Sequence, residues 1–412
     1  MKASYQSLDL RGQRVLVRED LNVPLQRGSS GQTWAGGAGG RDSSPAGPGV
    51  TISDDTRLRA ALGTLRDLSH RGARVVIMSH LGRPKGRRVP ELSLRPVAWR
   101  LAELLERPVA FAEDCVGQPA QAAVARLGEG DLVLLENVRF HAGDEDNDPD
   151  FARELAALGD VYVNDAFAAS HREHASVVGV AEHLPAYAGL LMLAELEALH
   201  RALDEPRRPL VAIVGGAKVS SKAGVLRFLL PRVDALLLGG AMANTFFKAE
   251  GKQVGASLVE DEAVDTAREV QREGAGKLEL PVDAVCARAV EPGQDTIVRP
   301  VDAVDDGWMM LDAGPATVRR FADRLHGAGT VVWNGPVGVF EVPEFSEGTR
   351  AVGEAVAASG AYSLVGGGDT AAAVEALGLA GRFSHVSTGG GATLEYMEGR
   401  ELPGVAVLRD RC

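Results

Sequence analysis

The sequence contains few cysteines and too few basic residues to balance its acidic ones. Its 412 residues include three cysteines, Cys115, Cys286 and Cys412, whose wide separation forms no metal-ligand spacing and suggests no disulfide framework. Lys and Arg number 44 against 56 Asp and Glu, which gives a formal net charge of −12. We therefore expect a protein of a reducing compartment that binds neither nucleic acid nor an anionic membrane.

Long apolar runs are also missing. Residues 1–10 contain no apolar signal core, and no run elsewhere reaches the length that spans a bilayer. Together with the cysteine usage, this predicts a cytoplasmic protein. Apolar residues still make up 45% of the chain, as in soluble globular proteins, and 412 residues exceed what one hydrophobic core usually serves. Two domains are expected.

Short apolar runs that resemble strands alternate with amphipathic segments over almost the whole chain. This alternation predicts an α/β fold with two doubly wound, largely parallel, Rossmann-like domains. The predicted strands cover residues 14–17, 74–78, 132–135, 161–163, 210–214, 235–238, 330–333, 363–365 and 385–386.

The domain boundaries follow from composition and periodicity. We predict domains at residues 1–184 and 204–391, an interdomain helix at 185–203 and a tail at 392–412. One segment is foreign to the pattern: residues 27–49 are rich in Gly, Ser and Pro and cannot bury enough apolar surface to offset their ordering entropy. We expect a mobile surface insertion there.

Three consecutive glycines at 366–368 follow a predicted strand and precede Asp369, Thr370 and an alanine-rich helix. Glycine lets the backbone approach a ligand closely, and a helix N-terminus favours an anion such as phosphate. Asp369 suits this position if Mg²⁺ lies between its carboxylate and the phosphate. Two alternatives stay open: a tight turn in which Thr370 caps the helix, and a dinucleotide fingerprint, because Gly366-x-Gly368-x-x-Ala371 fits that pattern too.

The residues that follow the predicted strands differ between the two halves. Glycines follow the strands of the second half, which predicts a backbone-lined bed for a nucleotide. Charged and polar side chains follow those of the first half, and the planar fork of arginine matches phosphate and carboxylate oxygens. The first half therefore predicts a basic site for a phosphorylated carboxylic acid. Its candidate residues are Asp20, Asn22, Arg57, His80, Arg83, Arg139 and Arg172.

Lys218 and Lys222 follow Gly215 and Gly216. If the chain is helical from Val219 onward, both amines lie near a helix N-terminus, where a cation opposes the helix dipole. A bound anion would offset that cost. Glu341 is a candidate acceptor for ribose hydroxyl groups, with an ordinary surface charge as the alternative.

Nine longer motifs occur in a fixed order along the chain. They are REDLNVP at 18–24, DDTR at 54–57, MSHLGRP at 78–84, LLENVRFH at 134–141, VYVNDAF at 161–167, VGGAKVSSK at 214–222, VWNGPVGVFE at 332–341, GGGDT at 366–370 and VSTGGG at 386–391. In this order, over about residues 15–405, they resemble the motifs of the phosphoglycerate kinase family.

The resemblance implies reversible phosphoryl transfer between 1,3-bisphosphoglycerate and MgADP, giving 3-phosphoglycerate and MgATP in glycolysis. It also implies a monomer whose two domains close about a hinge to exclude water, with the tail returning to the first domain. It implies that phosphoglycerate is bound by Asp20, Leu21, Asn22, Arg57, His80, Leu81, Gly82, Arg83, Arg139 and Arg172. It implies that the nucleotide is bound by Lys218, Lys222, Met310, Asn334, Glu341, Gly366, Gly367, Gly368, Asp369 and Thr370.

Within those sets, the resemblance implies that Arg57 and Lys218 stabilise charge on the transferred group and that Asp369 is the Mg²⁺ ligand. Four positions depart from the family pattern: Glu19, Glu173, Ala241 and Met310. Met310 stands where a glycine usually lines the base pocket, and Glu173 stands beside Arg172 where alanine is usual. The alternative functions are an NAD-dependent oxidoreductase and a catalytically silent nucleotide-binding paralogue.

Overall fold

The computed structural model describes residues 2–27 and 50–411, and the chain divides into two compact units. The first unit comprises Met1–Ala194 and Leu402–Cys412, and the second comprises Glu195–Glu401. The expected insertion at residues 27–49 lies outside the described residues, except that Arg27 ends a short strand. None of the described helices is long and apolar enough to cross a bilayer.

The first unit is built on a six-stranded parallel sheet. Its interior strands are buried on both faces, as parallel sheets covered by helices require: Val15 and Val17 face one side and Leu16 the other, all with 0% exposure. Across the sheet the strands are Val109–Phe111, Leu132–Leu134, Arg74–Met78, Arg14–Arg18, Val161–Asn164 and Ala186–Ala188. A separate antiparallel pair joins Leu25–Arg27 to Val50–Ile52.

Helices and short 3-10 turns connect these strands. The helices are Thr56–His70, Arg95–Leu105, Gly117–Ala125, Ala142–Glu145, Pro149–Ala156 and Pro403–Ala406. The 3-10 turns are Tyr5–Ser7, Pro90–Leu92, Val138–Phe140, Phe167–Ala169 and Gly179–Glu182. The C-terminal segment belongs to this unit: Lys2 Nζ lies 3.0 Å from Asp410 Oδ1, and Asn164 Nδ2 donates to Gly404 O over 2.9 Å.

The second unit contains a six-stranded parallel sheet and a three-stranded antiparallel sheet. The parallel order is Leu278–Glu279, Ala235–Leu238, Leu210–Val214, Thr330–Asn334, Tyr362–Gly366 and His385–Val386. The antiparallel order is Ile297–Pro300, Asp283–Ala287 and Met309–Ala313. Trp333, with 0% exposure, lies in the core beside the parallel sheet and meets Phe383 edge to face at 6.1 Å.

Seven helices and three 3-10 turns are described within this unit. The helices are Ala223–Leu229, Met242–Ala249, Val264–Glu273, Pro315–Leu325, Glu347–Ala358, Gly368–Ala376 and Gly391–Met397. The 3-10 turns are Asp261–Ala263, Pro343–Phe345 and Ala380–Arg382.

The predicted fold class, two Rossmann-like α/β domains, is confirmed. The units divide inside a long helix, Leu190–Leu203, after Ala194, and again before Leu402. The sequence prediction set the domain limits at 184 and 204 and began the tail at 392, whereas Gly391–Met397 is a helix of the second unit.

Candidate active site

The loop after the central strand of the first unit is held by the loop after the neighbouring strand. Leu21 N donates to Ser79 Oγ over 2.9 Å, and Asn22 Oδ1 accepts from Gly82 N over 2.9 Å. Leu21 and Leu81 are buried at 0% and 2% exposure, so they anchor the two loops and offer no polar group of their own side chains. The parallel pairing of Arg14–Arg18 with Arg74–Met78 places both loops at the same edge of the sheet.

Arg57 lies in the first turn of helix Thr56–His70 and is oriented by a carboxylate. Its Nη1 donates to Asp20 Oδ2 over 2.5 Å. The side chain of Asp20 is 10% exposed and that of Arg57 is 41% exposed. Asp20 therefore holds the guanidinium group of Arg57 through Nη1, while the rest of the group stays open to solvent.

One buried histidine lies in the positive field of four arginines. His80 is 7% exposed, and its Nδ1 lies 3.0 Å from Nη2 of the fully buried Arg18. Burial, and then the positive charges of Arg18, Arg139, Arg172 and Arg57, hold the pKa of His80 well below its ordinary value. The imidazole is therefore neutral at neutral pH, and the positive potential around it comes from the arginines. We call these five residues the arginine cluster.

Arg139 is the most confined of the predicted arginines. It lies in the turn Val138–Phe140 with 3% exposure, and its Nη1 donates to Gly82 O over 3.0 Å. Burial, and then the charges of Arg18 and Arg172, lower the pKa of Arg139 to about 10. The guanidinium remains charged at neutral pH, and Glu145, 3.5 Å from Nε, only partly offsets this. A bound anion would relieve the remaining repulsion.

Arg83 and the cluster member Arg172 are less buried than Arg139. Arg83 follows Gly82 in the same loop but is exposed and takes no part in the hydrogen bonds described above. Arg172 is partly buried, with its Nε 3.2 Å from His171 Nε2. Glu173 is exposed. The carboxylate of Glu173 therefore faces solvent and does not enter the buried part of the cluster, where Arg139 lies.

In the second unit, the ends of two neighbouring strands are joined through Asn334 and Thr370. Asn334 is fully buried, its Nδ2 donates to Gly366 O over 3.0 Å, and its Oδ1 accepts from Lys222 Nζ over 2.5 Å. Thr370 Oγ1 accepts from Gly335 N over 2.6 Å and donates to Gly366 O over 2.9 Å. These bonds hold the 366–370 turn against the loop that follows Asn334.

The alternative in which Thr370 caps the helix is wrong. The helix is Gly368–Ala376, and its N-cap is Gly367, whose φ of +92° lies in the region that favours glycine. Thr370 lies inside the helix and uses its hydroxyl group for the bonds described above. Gly368 and Asp369 are exposed in the first turn.

Two glycine loops of this unit touch backbone to backbone. A Cβ at Gly215 would lie 2.1 Å from Pro336 O, and one at Gly335 would lie 2.2 Å from Gly215 O. Any side chain at either position would separate the loops that follow strands Leu210–Val214 and Thr330–Asn334. Glycine at both positions is therefore a packing requirement as well as a means of exposing backbone.

The two predicted lysines do not share a helix. The helix begins at Ala223, Lys222 is its N-cap, and the exposed Lys218 lies in the preceding loop, so the expected helix from Val219 is wrong. The segment Ala-Lys-Val-Ser-Ser at 217–221 is an irregular loop that ends in a turn. Burial lowers the pKa of Lys222, and the carboxylate of Asp369 acts in the opposite direction, which indicates that the two charges are close.

Met310 lies where the base of a nucleotide was expected. It belongs to strand Met309–Ala313, is 6% exposed, and lines a narrow cleft together with Gly240, Phe247 and Val337. Its side chain occupies volume that a glycine would leave empty. Glu341 is exposed, beyond the strand that ends at Asn334.

The family model of phosphoglycerate kinase matches residues 43–400. The chain is 51% identical to a phosphoglycerate kinase of Moorella thermoacetica over 413 residues, which covers 100% of both proteins. It is 49% identical to that of Pelotomaculum thermopropionicum over the same coverage. The chain belongs to the phosphoglycerate kinase family.

Solved structures of the family have the same fold. The phosphoglycerate kinase of Coxiella burnetii superposes with a TM-score of 0.86 at 42% identity, covering 99% of this chain and 98% of that one. The enzyme of Pyrococcus horikoshii superposes with a TM-score of 0.82 at 31% identity, covering 98% of each chain. The protein is thus a glycolytic kinase that phosphorylates a carboxyl group. The glycine pattern at 366–371 does not mark an NAD-dependent oxidoreductase.

Two buried charged residues beside the candidate residues were missed by the sequence reasoning. Arg18 donates to Ser176 Oγ over 3.1 Å and to the backbone of Glu19, and so carries buried charge into the arginine cluster. Asp312 lines the same cleft as Met310 and accepts from Gly348 N over 2.6 Å. Burial raises the pKa of Asp312 to about 7. An arginine at the end of an apolar run, as in RVLVR at 14–18, was the available signal for Arg18.

Proposed function

We propose that this chain binds phosphoglycerate at the arginine cluster and the nucleotide at the glycine-lined loops of the second unit. The observation that carries the proposal is the concentration of guanidinium groups around the neutral His80. The carboxylate of Asp20 balances the charge of Arg57. The charge of Arg139 is not balanced in the same way, because burial and its arginine neighbours lower its pKa. A phosphorylated carboxylate would supply the missing negative charge.

Polar side chains beside the cluster have unused groups for the rest of the substrate. Asn22 Oδ1 is occupied by Gly82 N, so its amide group is left to donate to a hydroxyl or carboxylate of the substrate. Arg83, exposed in the same loop, is positioned to approach the outer end of a bound anion. Leu21, Leu81 and Gly82 act through their backbone because they fix these loops.

In the second unit we assign the nucleotide phosphates to Lys218, Lys222 and the backbone at 366–370. Lys222 is already tied to Asn334 and close to Asp369, so its amine is placed for a phosphate at the helix N-terminus. We assign the ribose to Glu341 and the base to the cleft lined by Met310.

Asp369 fits a Mg²⁺ ligand, because one exposed carboxylate beside a phosphate-binding turn is enough for an ion that keeps several waters. When bound, Mg²⁺ neutralises charge on the nucleotide phosphates. The side chain of Asp369 contributes by fixing that charge at the first turn of Gly368–Ala376.

Phosphoryl transfer depends mainly on positioning and on charge stabilisation. Arg57 is oriented by Asp20 yet 41% exposed, and Lys218 is exposed next to the glycine loops. We therefore assign to Arg57 and Lys218 the stabilisation of charge on the group in transfer. We also propose a monomer in the cytoplasm, which the family resemblance supports, with no nucleic-acid or membrane partner.

Substitution of these two residues tests the assignment. Arg57→Ala and Lys218→Ala are each expected to lower kcat by orders of magnitude while changing substrate dissociation constants much less, because each acts mainly in the transition state. The matched controls are Arg59→Ala, on the same helix as Arg57, and Lys248→Ala, and both should retain kcat. Arg59 forms an ion pair with Asp55, and Lys248 forms one with Asp261. Weakened binding with an unchanged kcat would show that the two roles are wrongly assigned.

A further inference from the structure

Two loops of the first unit bring together an Asp, a Cys and a His outside the arginine cluster. Asp114 and Cys115 follow strand Val109–Phe111, and His141 follows the turn Val138–Phe140. His141 Nε2 lies 2.7 Å from Asp114 Oδ1. One ligand atom from each of the three residues lies within 4.8 Å of the other two.

The three side chains are held in place before any ion binds. The ring of His141 stacks on Phe151 with centroids 5.2 Å apart and an interplanar angle of 28°. Asp114 Oδ1 accepts from Cys115 N over 2.7 Å, which fixes the turn that carries both residues. The Cys115 thiol is fully buried and makes no hydrogen bond within residues 2–27 and 50–411.

The electrostatic surroundings favour a cation. The carboxylates of Asp114, Asp144 and Glu136 act on the Cys115 side chain as nearby negative charges. The same carboxylates attract a positive ion. The nearby Arg95 forms its ion pair with Glu113, which leaves the Asp114 carboxylate to His141.

We propose that Asp114, Cys115 and His141 bind one divalent cation of the Zn²⁺ class. Oxygen, sulfur and nitrogen donors together suit Zn²⁺ and its borderline-soft relatives, whereas Mg²⁺ and Ca²⁺ prefer oxygen alone. Asp114 and His141 are 32% and 35% exposed, so an ion has access from solvent and a water molecule can complete the coordination.

Binding is balanced in charge and protons. The ion replaces the hydrogen bond between Asp114 and His141: the hydrogen on Nε2 moves to Nδ1 by way of solvent, so that Nε2 can coordinate the ion, and the Cys115 thiol loses its proton to solvent. One carboxylate, one thiolate and a neutral imidazole then carry two negative charges against the two positive charges of the ion. The bound site is neutral, which reduces the cost of placing charge beside a buried sulfur.

The bound ion would cross-link two loops that are otherwise joined by one hydrogen bond. His141 lies two positions after Arg139, so the ion would also restrain the turn that presents this member of the arginine cluster. The site itself does not depend on the proposed roles of the kinase residues.

Co²⁺ titration of the full-length protein, stripped with a chelator and free of substrates, tests the site. We expect one Co²⁺ per chain, a thiolate charge-transfer band in the near ultraviolet, release of a proton, and displacement by Zn²⁺ but not by Mg²⁺. Cys115→Ser should abolish the thiolate band, and His141→Gln should weaken affinity by roughly tenfold or more. Cys286→Ser and Cys412→Ser are the matched controls and should bind Co²⁺ like the unmodified protein.

Absence of a thiolate band in the unmodified protein, or a band that persists in Cys115→Ser, would overturn the proposal. Circular dichroism checks that each variant is folded. If the buried Cys115→Ser does not fold, Asp114→Asn and His141→Gln decide the question, because both lie at partly exposed positions. Unchanged affinity in both would show that the three residues are not ligands. Because no substrate is present, failure of this test is separate from failure of the kinase assignment.

Discussion

Removing the buried charge of Arg139 should stabilise the free protein and weaken phosphoglycerate binding. A pKa lowered from 12.5 to about 10 means that the folded structure disfavours the charged guanidinium. That difference corresponds to about 3 kcal/mol, and the 3% exposure leaves little solvent screening to reduce it. Arg139→Met removes this cost but also the hydrogen bond to Gly82 O, a loss of about 1–3 kcal/mol.

The net expectation is a gain of about 1 kcal/mol in the free energy of unfolding. Binding should change in the opposite direction. A charge-assisted contact with the substrate contributes about 1.5–3 kcal/mol, so the dissociation constant of 3-phosphoglycerate should rise roughly 10- to 150-fold.

Urea denaturation of the free protein and calorimetric titration with 3-phosphoglycerate measure the two quantities. Arg83→Met is the matched control, since Arg83 is an exposed arginine of the 82–83 loop and its loss should leave stability nearly unchanged. If Arg139→Met destabilised the free protein by several kcal/mol and left binding unchanged, Arg139 would be a structural residue and the electrostatic reasoning would be wrong.

Three further outcomes follow from the second unit. Met310→Gly should widen the cleft that Met310 lines and, if the proposal that the base binds there is right, lower the KM for MgATP. The melting temperature should also fall, because a buried side chain is lost. An unchanged KM in steady-state kinetics would place the base elsewhere. The pKa of Asp312 is raised to about 7, so the stability that its protonated form contributes is complete below about pH 4 and is lost as the pH rises towards 7. Across that window, the free energy of unfolding of Asp312→Asn should therefore gain about 1.4 kcal/mol per pH unit relative to the unmodified protein. A difference between the two proteins that does not depend on pH would count against a neutral buried carboxyl group. Gly335→Ala should reduce the melting temperature far more than Gly327→Ala. Both glycines have positive φ, but only Gly335 has backbone atoms where the Cβ would go. Equal effects would mean that backbone strain at positive φ, and not contact with Gly215, is the cause.

The interior strands of the parallel sheets could be predicted because they are buried on both faces and appear in the sequence as apolar runs. The edge strands Val109–Phe111, Ala186–Ala188 and Leu278–Glu279 were missed. Asp283–Ala287 and its antiparallel partners Ile297–Pro300 and Met309–Ala313 were missed. Ile297–Pro300 alternates partly buried and exposed residues, so its sequence has no continuous apolar run. The start of the helix at Ala223 was also missed, because the periodicity of residues 219–222 does not exclude a turn.

Candidate site residues could be predicted where they directly follow a strand. They were harder to predict where contacts between distant parts of the chain determine the position of a side chain. Arg57 and Asp20 were both identified, but their ion pair depends on how helix Thr56–His70 meets the central strand. Arg18 was overlooked because a charged residue inside a strand is usually assigned to the surface. Cys115 and His141 meet only because two loops lie at adjacent strand ends, and no spacing along the chain indicates this.

The most direct measurement is a coupled assay with 3-phosphoglycerate and MgATP, run in both directions and repeated with MgGTP. If the arginine cluster holds the acid and the 366–370 turn holds the nucleotide phosphates, turnover should saturate in both substrates and disappear in Arg57→Ala and Lys218→Ala. Well-folded protein that binds nucleotide but shows no turnover with 3-phosphoglycerate would mean that the sites described do not work together as a kinase.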